Sequence, residues 1–121
     1  MFKNVYDHVI FFKGKDEVFV ATIVPFLQPL HIKENQYVYH NTDFSTDIFF
    51  ITHGRINYVG SQYQIVLQSW INGSYFGELE ILGNMKRTTS AIAQVQTQLL
   101  SLDKKHFLMI IQEFPDYAKE I

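Results

Sequence analysis

The spacing of hydrophobic residues divides the chain into a helical start, a long region of short strands and a helical end. Between Phe2 and Phe12, apolar residues recur every three or four positions, which predicts a helix that Gly14 ends. Asp16 is suited to cap a second helix. The apolar face of this second helix comprises Phe19, Val20, Ile23 and Val24.

From Leu30 onward the pattern is typical of strands, because polar and apolar residues alternate or form short apolar runs. Turn residues such as Asn72-Gly73 separate these segments. Short strands at this spacing predict an antiparallel β-roll of the jelly-roll kind. The predicted strands span residues 30–32, 37–39, 48–51, 56–59, 63–70, 88–95 and 99–102.

Two further helical segments are expected outside this strand pattern. The segment from Tyr75 to Leu82 suits one or two helical turns rather than a strand. Asp103 is suited to cap a helix that Pro115 ends, and residues 116–121 resemble the opening of another helix. The apolar face of the helix after Asp103 comprises Phe107, Ile110, Ile111 and Phe114.

These elements predict a single domain over residues 1–121, since a chain of this length forms one core. The fold class is mainly β with flanking helices. We expect N-terminal helices over residues 1–28 and the β-roll over residues 29–102. The C-terminal helix and the beginning of the next one occupy residues 103–121.

Composition narrows the function classes. A net charge of −2 disfavours a nucleic acid partner, which would require an excess of Lys and Arg. The absence of cysteine removes disulfides and thiol chemistry. No run reaches the roughly 20 apolar residues of a membrane span, so we expect no direct membrane insertion by this chain.

Metal binding and catalysis are both poorly supported. The strand histidines His31, His40 and His53 form no His-x-His pair of the kind found in metal-dependent oxygenases. No Ser-His-Asp pattern stands out, and a hydrolase that uses Glu78 and Glu80 as a catalytic carboxylate pair is poorly supported. We therefore expect neither a metal, nor a cofactor, nor an enzymatic activity.

The segment 73–89, GSYFGELEILGNMKRTT, has the composition of a site for a small anion that also carries hydroxyl groups. Gly77 allows a close approach to the backbone, and the short helix after it presents unpaired N–H groups. Arg87 offers a planar fork that pairs with two phosphate oxygens at once. Glu78 suits a sugar hydroxyl, because a carboxylate accepts hydrogen bonds. A phosphate together with a sugar hydroxyl indicates a nucleotide.

These residues resemble the phosphate-binding cassette of cyclic-nucleotide-binding domains, with the run Phe76 to Leu79, then Leu82, then Arg87 at the family's spacing. The resemblance extends to the segment IFFITHG at 48–54 and to the closing pattern over 102–115. It implies cAMP or cGMP as the ligand. The ligand-binding residues that it implies are Phe76, Gly77, Glu78, Leu79, Arg87, Thr88 and Thr89.

The resemblance assigns a role to each part of this set. Glu78 accepts from the ribose 2′-hydroxyl, and Arg87 pairs with the cyclic phosphate. Gly77 and Leu79 contribute backbone contacts to sugar and phosphate. Thr88 bonds the phosphate or touches the purine.

Thr88 after the arginine and Tyr75 before Phe76 are most similar to hyperpolarisation-activated and cyclic-nucleotide-gated cation channels and related potassium channels. The resemblance implies a cytoplasmic domain of a membrane protein that regulates the attached channel polypeptide. Channels of this kind assemble as tetramers. Family members continue beyond the position of Ile121 into a helix that covers the base.

Two alternatives from the same fold remain open. One is the regulatory domain of a cyclic-nucleotide-dependent protein kinase, and the other is a non-binding domain used for assembly. Glu80 keeps the second alternative open, because many binders carry a small residue there. A carboxylate that points into the site would weaken phosphate binding, whereas one that points outward would be harmless. A bacterial-type transcription regulator is disfavoured, since no DNA-reading segment follows the last helix.

Overall fold

The computed structural model describes residues 17–60 and 65–118 of the chain. Within this part, two four-stranded sheets are flanked by short helices. The strands are β1 (Gln28–Ile32), β2 (Tyr37–Tyr39), β3 (Asp47–His53), β4 (Arg55–Val59), β5 (Val66–Ile71), β6 (Tyr75–Phe76), β7 (Ser90–Ala93) and β8 (Thr97–Asp103). The helices are α1 (Glu17–Ile23), α2 (Glu78–Leu82), α3 (Lys104–Glu113) and α4 (Pro115–Ala118), with a 3₁₀ turn at Val24–Phe26.

Every strand pairing is antiparallel, which confirms the predicted β-roll class. The first sheet has the order β1-β8-β3-β6, and the second has the order β2-β7-β4-β5. Neighbours in space are mostly distant in sequence, as in the pairing of β3 with β8 that places Phe50 opposite Leu100. A fold of this kind brings the segment just before Gly77 next to residues more than twenty positions earlier, as in the pairing of Phe76 with Phe49.

Residues 48–51 of strand β3 form an uninterrupted apolar run because both faces of the strand are buried there. Ile48 and Phe50 belong to the core cluster beneath the helices, whereas Phe49 and Ile51 belong to the cluster between the sheets. Because successive side chains of a strand point to opposite faces, a strand that is buried on both faces must be apolar throughout. The strand therefore ties the two cores together.

Helices α1 and α3 cover the outer face of the first sheet. Phe19 of α1 lies edge-on to Phe114 just beyond α3, with ring centroids 5.0 Å apart. The cap predicted for α3 is present, since the Asp103 side chain accepts a hydrogen bond from the backbone N–H of His106. The buried residues shared by this helix-covered core are Phe19, Val20, Ile23, Leu27, Ile48, Phe50, Ile81, Leu100, Leu102, Phe107 and Ile110.

The remaining sequence predictions have mixed outcomes. The predicted helix over residues 2–12 and the capping role of Asp16 lie outside the described residues. The strand expected over 63–70 is observed at Val66–Ile71, and that expected over 88–95 shortens to Ser90–Ala93. Strand β6 was not predicted, because two residues are too few to show an alternation.

Across residues 17–60 and 65–118, no helix has both the length and the apolar character needed to cross a membrane.

Candidate functional site

Gly77 forms the turn between β6 and α2. Its φ of +87° lies in the left-handed region, which strongly favours glycine. A Cβ atom here would lie 3.1 Å from Nη1 of Arg87, so the absence of a side chain lets the guanidinium come close. The Gly77 carbonyl accepts a hydrogen bond of 2.6 Å from that nitrogen. The close approach expected at this glycine is thus made by the protein's own arginine.

The backbone N–H of Gly77 also has a partner within the protein. It donates to the Tyr58 hydroxyl at 3.0 Å. The family resemblance implies contacts of this backbone with sugar and phosphate, whereas in the structure its N–H is already bonded within the protein. Burial raises the pKa of Tyr58, so its hydroxyl stays neutral and able to accept this bond.

The main chain fixes Arg87 against the loop between β2 and β3. Its N–H donates to the Asp43 carbonyl at 2.8 Å, and its own carbonyl accepts from the Thr42 N–H at 2.9 Å. Two residues earlier, the Met85 carbonyl accepts a bond from the Ser45 hydroxyl. The segment that carries the arginine is therefore held on both sides before any ligand is considered.

The Arg87 side chain points into the protein and is only 1% exposed. Besides the bond to Gly77, Nη1 donates to Glu80 Oε1 at 2.9 Å, and Nη2 donates to the backbone carbonyl of Asp47. The guanidinium carbon lies 4.1 Å from the ring centroid of Tyr39, a cation–π geometry. The Nη1 and Nη2 atoms of the fork that was expected over a phosphate are thus engaged by protein groups, whereas its buried Nε atom has no hydrogen-bond partner among the described residues.

The sequence left open whether Glu80 points into the site or outward. In the structure it points inward. Its side chain is 7% exposed and forms the ion pair with Arg87. The second carboxylate oxygen accepts a hydrogen bond of 2.8 Å from the Thr88 hydroxyl. Both oxygens are therefore bonded, and a buried carboxylate stands where the sequence analysis expected the ligand's phosphate.

Glu78 lies in a different environment from Glu80, although only one residue separates them. Its Oε2 atom is buried and has no hydrogen-bond partner among the described residues. Burial raises the pKa of Glu78, and the nearby charge of Glu80 adds to this effect. An unpartnered buried carboxylate oxygen is costly, so a donor that reached this atom would relieve that cost.

A cavity of about 240 Å³ adjoins Glu78. Trp70 also lines it, and the Trp70 indole Nε1 is buried without a hydrogen-bond partner among the described residues. Two residues that line the cavity therefore each carry a buried polar atom without a partner among the described residues. Its other lining residues are Gly73, Ser74 and Tyr75.

The positions of the other predicted site residues give less support for ligand contacts by their side chains. Phe76 is 0% exposed and stacks on Phe49 in the core, which leaves only its backbone near the cavity. The Leu79 side chain is 63% exposed, so only its backbone suits the assigned contact. Thr88 is exposed and bonded to Glu80, and Thr89 is half-buried just before β7.

Sequence reasoning missed three aromatic residues of this site. Tyr39, Tyr58 and Trp70 lie on strands β2, β4 and β5 and face the interior between the sheets. Alternation in β4 places Tyr58 on the same face as the buried Ile56. That alternation was the available sign, but it does not show which inward side chain reaches Gly77.

Comparisons with known proteins agree with this geometry. The family model described as "Cyclic nucleotide-binding domain" matches residues 29–114. Human cyclic nucleotide-gated channel beta-1 is 28% identical over 120 residues, covering 96% of this chain and 10% of the channel. The human potassium/sodium hyperpolarization-activated cyclic nucleotide-gated channel 3 is 28% identical over 108 residues, covering 89% of this chain and 14% of that protein.

A solved structure shows the same fold. The regulatory subunit of a cAMP-independent protein kinase A from Trypanosoma brucei superposes with a TM-score of 0.87 at 19% identity. The match covers 99% of this chain and 45% of that one. Because the family model spans most of the chain and the cassette elements stand in the family's order, this chain belongs to the cyclic nucleotide-binding domain family.

Proposed function

We infer that this chain is the ligand-sensing module of a cation channel, with cAMP or cGMP as its ligand. Two observations support this: the chain belongs to the family, and channel proteins match it along nearly its whole length. Its role is regulatory rather than catalytic. In the full-length protein it would lie in the cytoplasm and act on the attached channel polypeptide, which we expect to be a tetramer and selective for potassium.

The observation that carries the ligand proposal is the unpartnered Oε2 atom of Glu78 beside the cavity. A ribose 2′-hydroxyl is a hydrogen-bond donor of the kind that such an atom would accept. Hydrogen bonds to charged groups contribute about 1.5–3 kcal/mol, more than neutral ones. A ligand that bonds Glu78 also removes the cost of leaving a buried acceptor unsatisfied.

The remaining roles follow the family assignment in part. Arg87 would pair with the cyclic phosphate once it exchanges Glu80 for the ligand, and Thr88 would follow, since it is bonded to the same carboxylate. Leu79 and Gly77 would contribute backbone groups. Thr89 and Phe76 would shape the wall of the site rather than bond the ligand.

Binding of cAMP and cGMP to the wild type and to Glu78→Gln tests this proposal by isothermal titration calorimetry. We expect the wild type to bind and the variant to lose about tenfold to a hundredfold in affinity, the equivalent of one charge-assisted bond. The loss should vanish for the 2′-deoxy ligand. Glu34→Gln, an exposed change distant from the cavity, is the matched control. Absence of binding at millimolar concentrations of both nucleotides would overturn the proposal.

The channel part of the proposal is tested separately. Patch-clamp recordings of the full-length protein should show a current that changes when cyclic nucleotide is applied to the cytoplasmic face. The Glu78→Gln variant should shift that response to higher ligand concentration without abolishing the current. A current that is insensitive to nucleotide would contradict the assigned role.

One observation favours a second candidate, a domain that keeps the fold but serves only as an assembly contact. Arg87 already has an internal anionic partner and is almost fully buried. If titration shows no binding by the wild type while the full-length protein assembles only when this domain is present, the second candidate is correct. Binding that depends on Glu78 would exclude it.

A further inference from the structure

Among the described residues, four strands lie at the edges of the two sheets: β1 and β6 in the first sheet, β2 and β5 in the second. An edge strand has backbone N–H and C=O groups that no neighbouring strand pairs. Proteins commonly protect such an edge with proline, with charged side chains or by keeping the strand short. Three of the four strands are protected in this way, since β1 contains Pro29 and β2 and β6 have only three and two residues.

Strand β5 is the edge strand with the least protection. It spans six residues, Val66–Ile71, and among the described residues it pairs on one side only, with β4. It contains no proline, and the whole segment 56–77 contains no Asp, Glu, Lys, Arg or His. The register with β4 shifts at Leu67, which leaves Gln68–Ile71 as the regular part of the strand. The outer edge of this regular part is accessible to another strand.

The side chains at this edge are apolar and exposed. Ile65, Val66, Leu67 and Ile71 are 60%, 52%, 58% and 51% exposed. Single exposed apolar residues are normal in soluble proteins, whereas a group of them close together marks an interaction surface. We call residues 65–71 the β5 edge. It combines unpaired backbone groups with apolar side chains that lie largely in water.

The occupant that fits the β5 edge best is the same edge of a second copy. Two identical strands meet antiparallel around a two-fold axis, and each then supplies the backbone partners that the other lacks. The chain carries a net charge of −2, but the uncharged segment adds no repulsion where the two strands meet. A peptide partner is selected by pockets for its alternate side chains. The β5 edge instead presents exposed apolar side chains, which a surface of the same kind covers.

We propose that the β5 edge pairs antiparallel with the β5 edge of a second copy, so that the two second sheets form one continuous sheet. A two-fold contact is complete after two copies, so the product is a dimer rather than a fibre. A single strand pair buries less than the roughly 1,600 Å² of a standard interface, so we expect the dimer to be weak and to dissociate on dilution. In the tetramer expected of the full-length protein, the four domains would associate as two pairs.

This inference does not rest on nucleotide binding. None of the four exposed apolar residues of the β5 edge lines the cavity beside Glu78. Association through the edge and ligand binding in the cavity can therefore be measured separately.

Sedimentation velocity of the full chain from micromolar to millimolar concentration tests the proposal. We expect the mass of the wild type to rise from that of a monomer to that of a dimer. Leu67→Lys and Ile71→Lys should each weaken the dimer by about tenfold or more, because like charges then meet at the two-fold contact. Val18→Lys changes a similarly exposed apolar residue on α1 and should alter association less than about twofold. Circular dichroism shows which variants fold, and either edge variant suffices.

Amide hydrogen exchange of the wild type locates the contact without any substitution. Backbone amides of Val66–Ile71 should exchange more slowly in concentrated than in dilute solution, because pairing gives them new partners. Amides of α3 (Lys104–Glu113) should exchange at the same rate in both.

Three results would overturn the proposal. A wild type that stays monomeric at every concentration would show that the edge does not associate. A dimer that the folded edge variants retain, or that leaves exchange of Val66–Ile71 unchanged, would place the interface elsewhere. Assembly that continues beyond two copies would contradict a two-fold contact.

Discussion

The two halves of the candidate site differ in whether the charged side chain of each has a counter-ion within the protein. Arg87 has one, since the carboxylate of Glu80 contacts its guanidinium together with two backbone carbonyls and an aromatic ring, although the buried Nε atom has no hydrogen-bond partner among the described residues. Around Glu78, a carboxylate oxygen and the indole N–H of Trp70 have no partner among the described residues. The Arg87 half is part of the folded core, whereas the Glu78 half keeps hydrogen-bonding groups that a ligand could use.

The family's sequence motif contains both halves of the site, but in this structure the two halves differ. The Phe-Gly-Glu-Leu run and the arginine occur together in the family's cassette, so the motif suggests that both ends of the ligand are bound. In this structure the arginine end already holds Glu80 as an internal counter-ion, whereas the Glu78 end has an unpartnered carboxylate oxygen. Stability should therefore depend mainly on the Arg87 half and ligand binding mainly on the Glu78 half.

The largest expected effect on stability comes from removing the cation of the Arg87 half. Arg87→Met leaves Glu80 buried without its partner and two carbonyls without their donors, so we expect a loss of about 3–5 kcal/mol in the free energy of unfolding. Urea denaturation measures this directly. Arg55→Met changes an exposed arginine in the same way and should cost far less. Equal losses in the two variants would show that Arg87 is not part of the core.

A smaller effect is expected from adding a methyl group at the turn between the halves. Gly77→Ala places a side chain at a φ of +87° and 3.1 Å from Arg87 Nη1, so we expect a cost of about 1–2 kcal/mol from the backbone alone. Gly60→Ala is the control, because its added methyl group would meet no atom of the described residues closer than 3.9 Å. Thermal unfolding of both variants should show a clear drop only for Gly77→Ala. Similar melting temperatures would contradict the packing described.

The smallest expected effect concerns the Glu78 half and is a change of stability with pH. Burial raises the pKa of Glu78, so between its ordinary value and the raised value the native state binds more protons than the unfolded state. The stability contributed by this group is present below the ordinary pKa and is lost as pH rises through the raised pKa. Glu78→Gln lacks this loss, so its advantage over the wild type should grow with pH and then level off.

Urea denaturation of wild type and Glu78→Gln at a series of pH values checks the sign. Glu34→Gln, an exposed change, should give a difference that varies much less. If the advantage of Glu78→Gln shrinks as pH rises, the fold stabilises the ionised Glu78 carboxylate. That result would contradict the description of Glu78 as an unsatisfied buried group.

Much of the architecture follows from the sequence alone. The uninterrupted apolar run of β3, the turn glycines and the Asp103 cap depend on local chemistry, and the structure confirms each of them. Gly73 is an example: the pair Asn72-Gly73 predicts a turn, and the φ of Gly73 is +87°. Local rules suffice here because the conformation is set by the residue and its near neighbours.

The orientation of the charged site residues did not follow from the sequence. The inward turn of Arg87 depends on Thr42 and Asp43, which lie more than forty positions earlier and bond its backbone. The direction of Glu80 depends on α2 being helical, since two residues on a helix are about 200° apart around its axis. That rotation directs Glu78 to the cavity and Glu80 to the arginine.

The central claim is that Glu80 and Arg87 form one energetic unit, and a double-mutant cycle tests it most directly. The free energies of unfolding of wild type, Glu80→Gln, Arg87→Met and the double variant give the coupling between the two side chains. We predict a coupling of about 1.5–3 kcal/mol, as expected for a buried charge-assisted bond. Losses that add to within about 0.5 kcal/mol would contradict the account, because independent side chains are additive at that level.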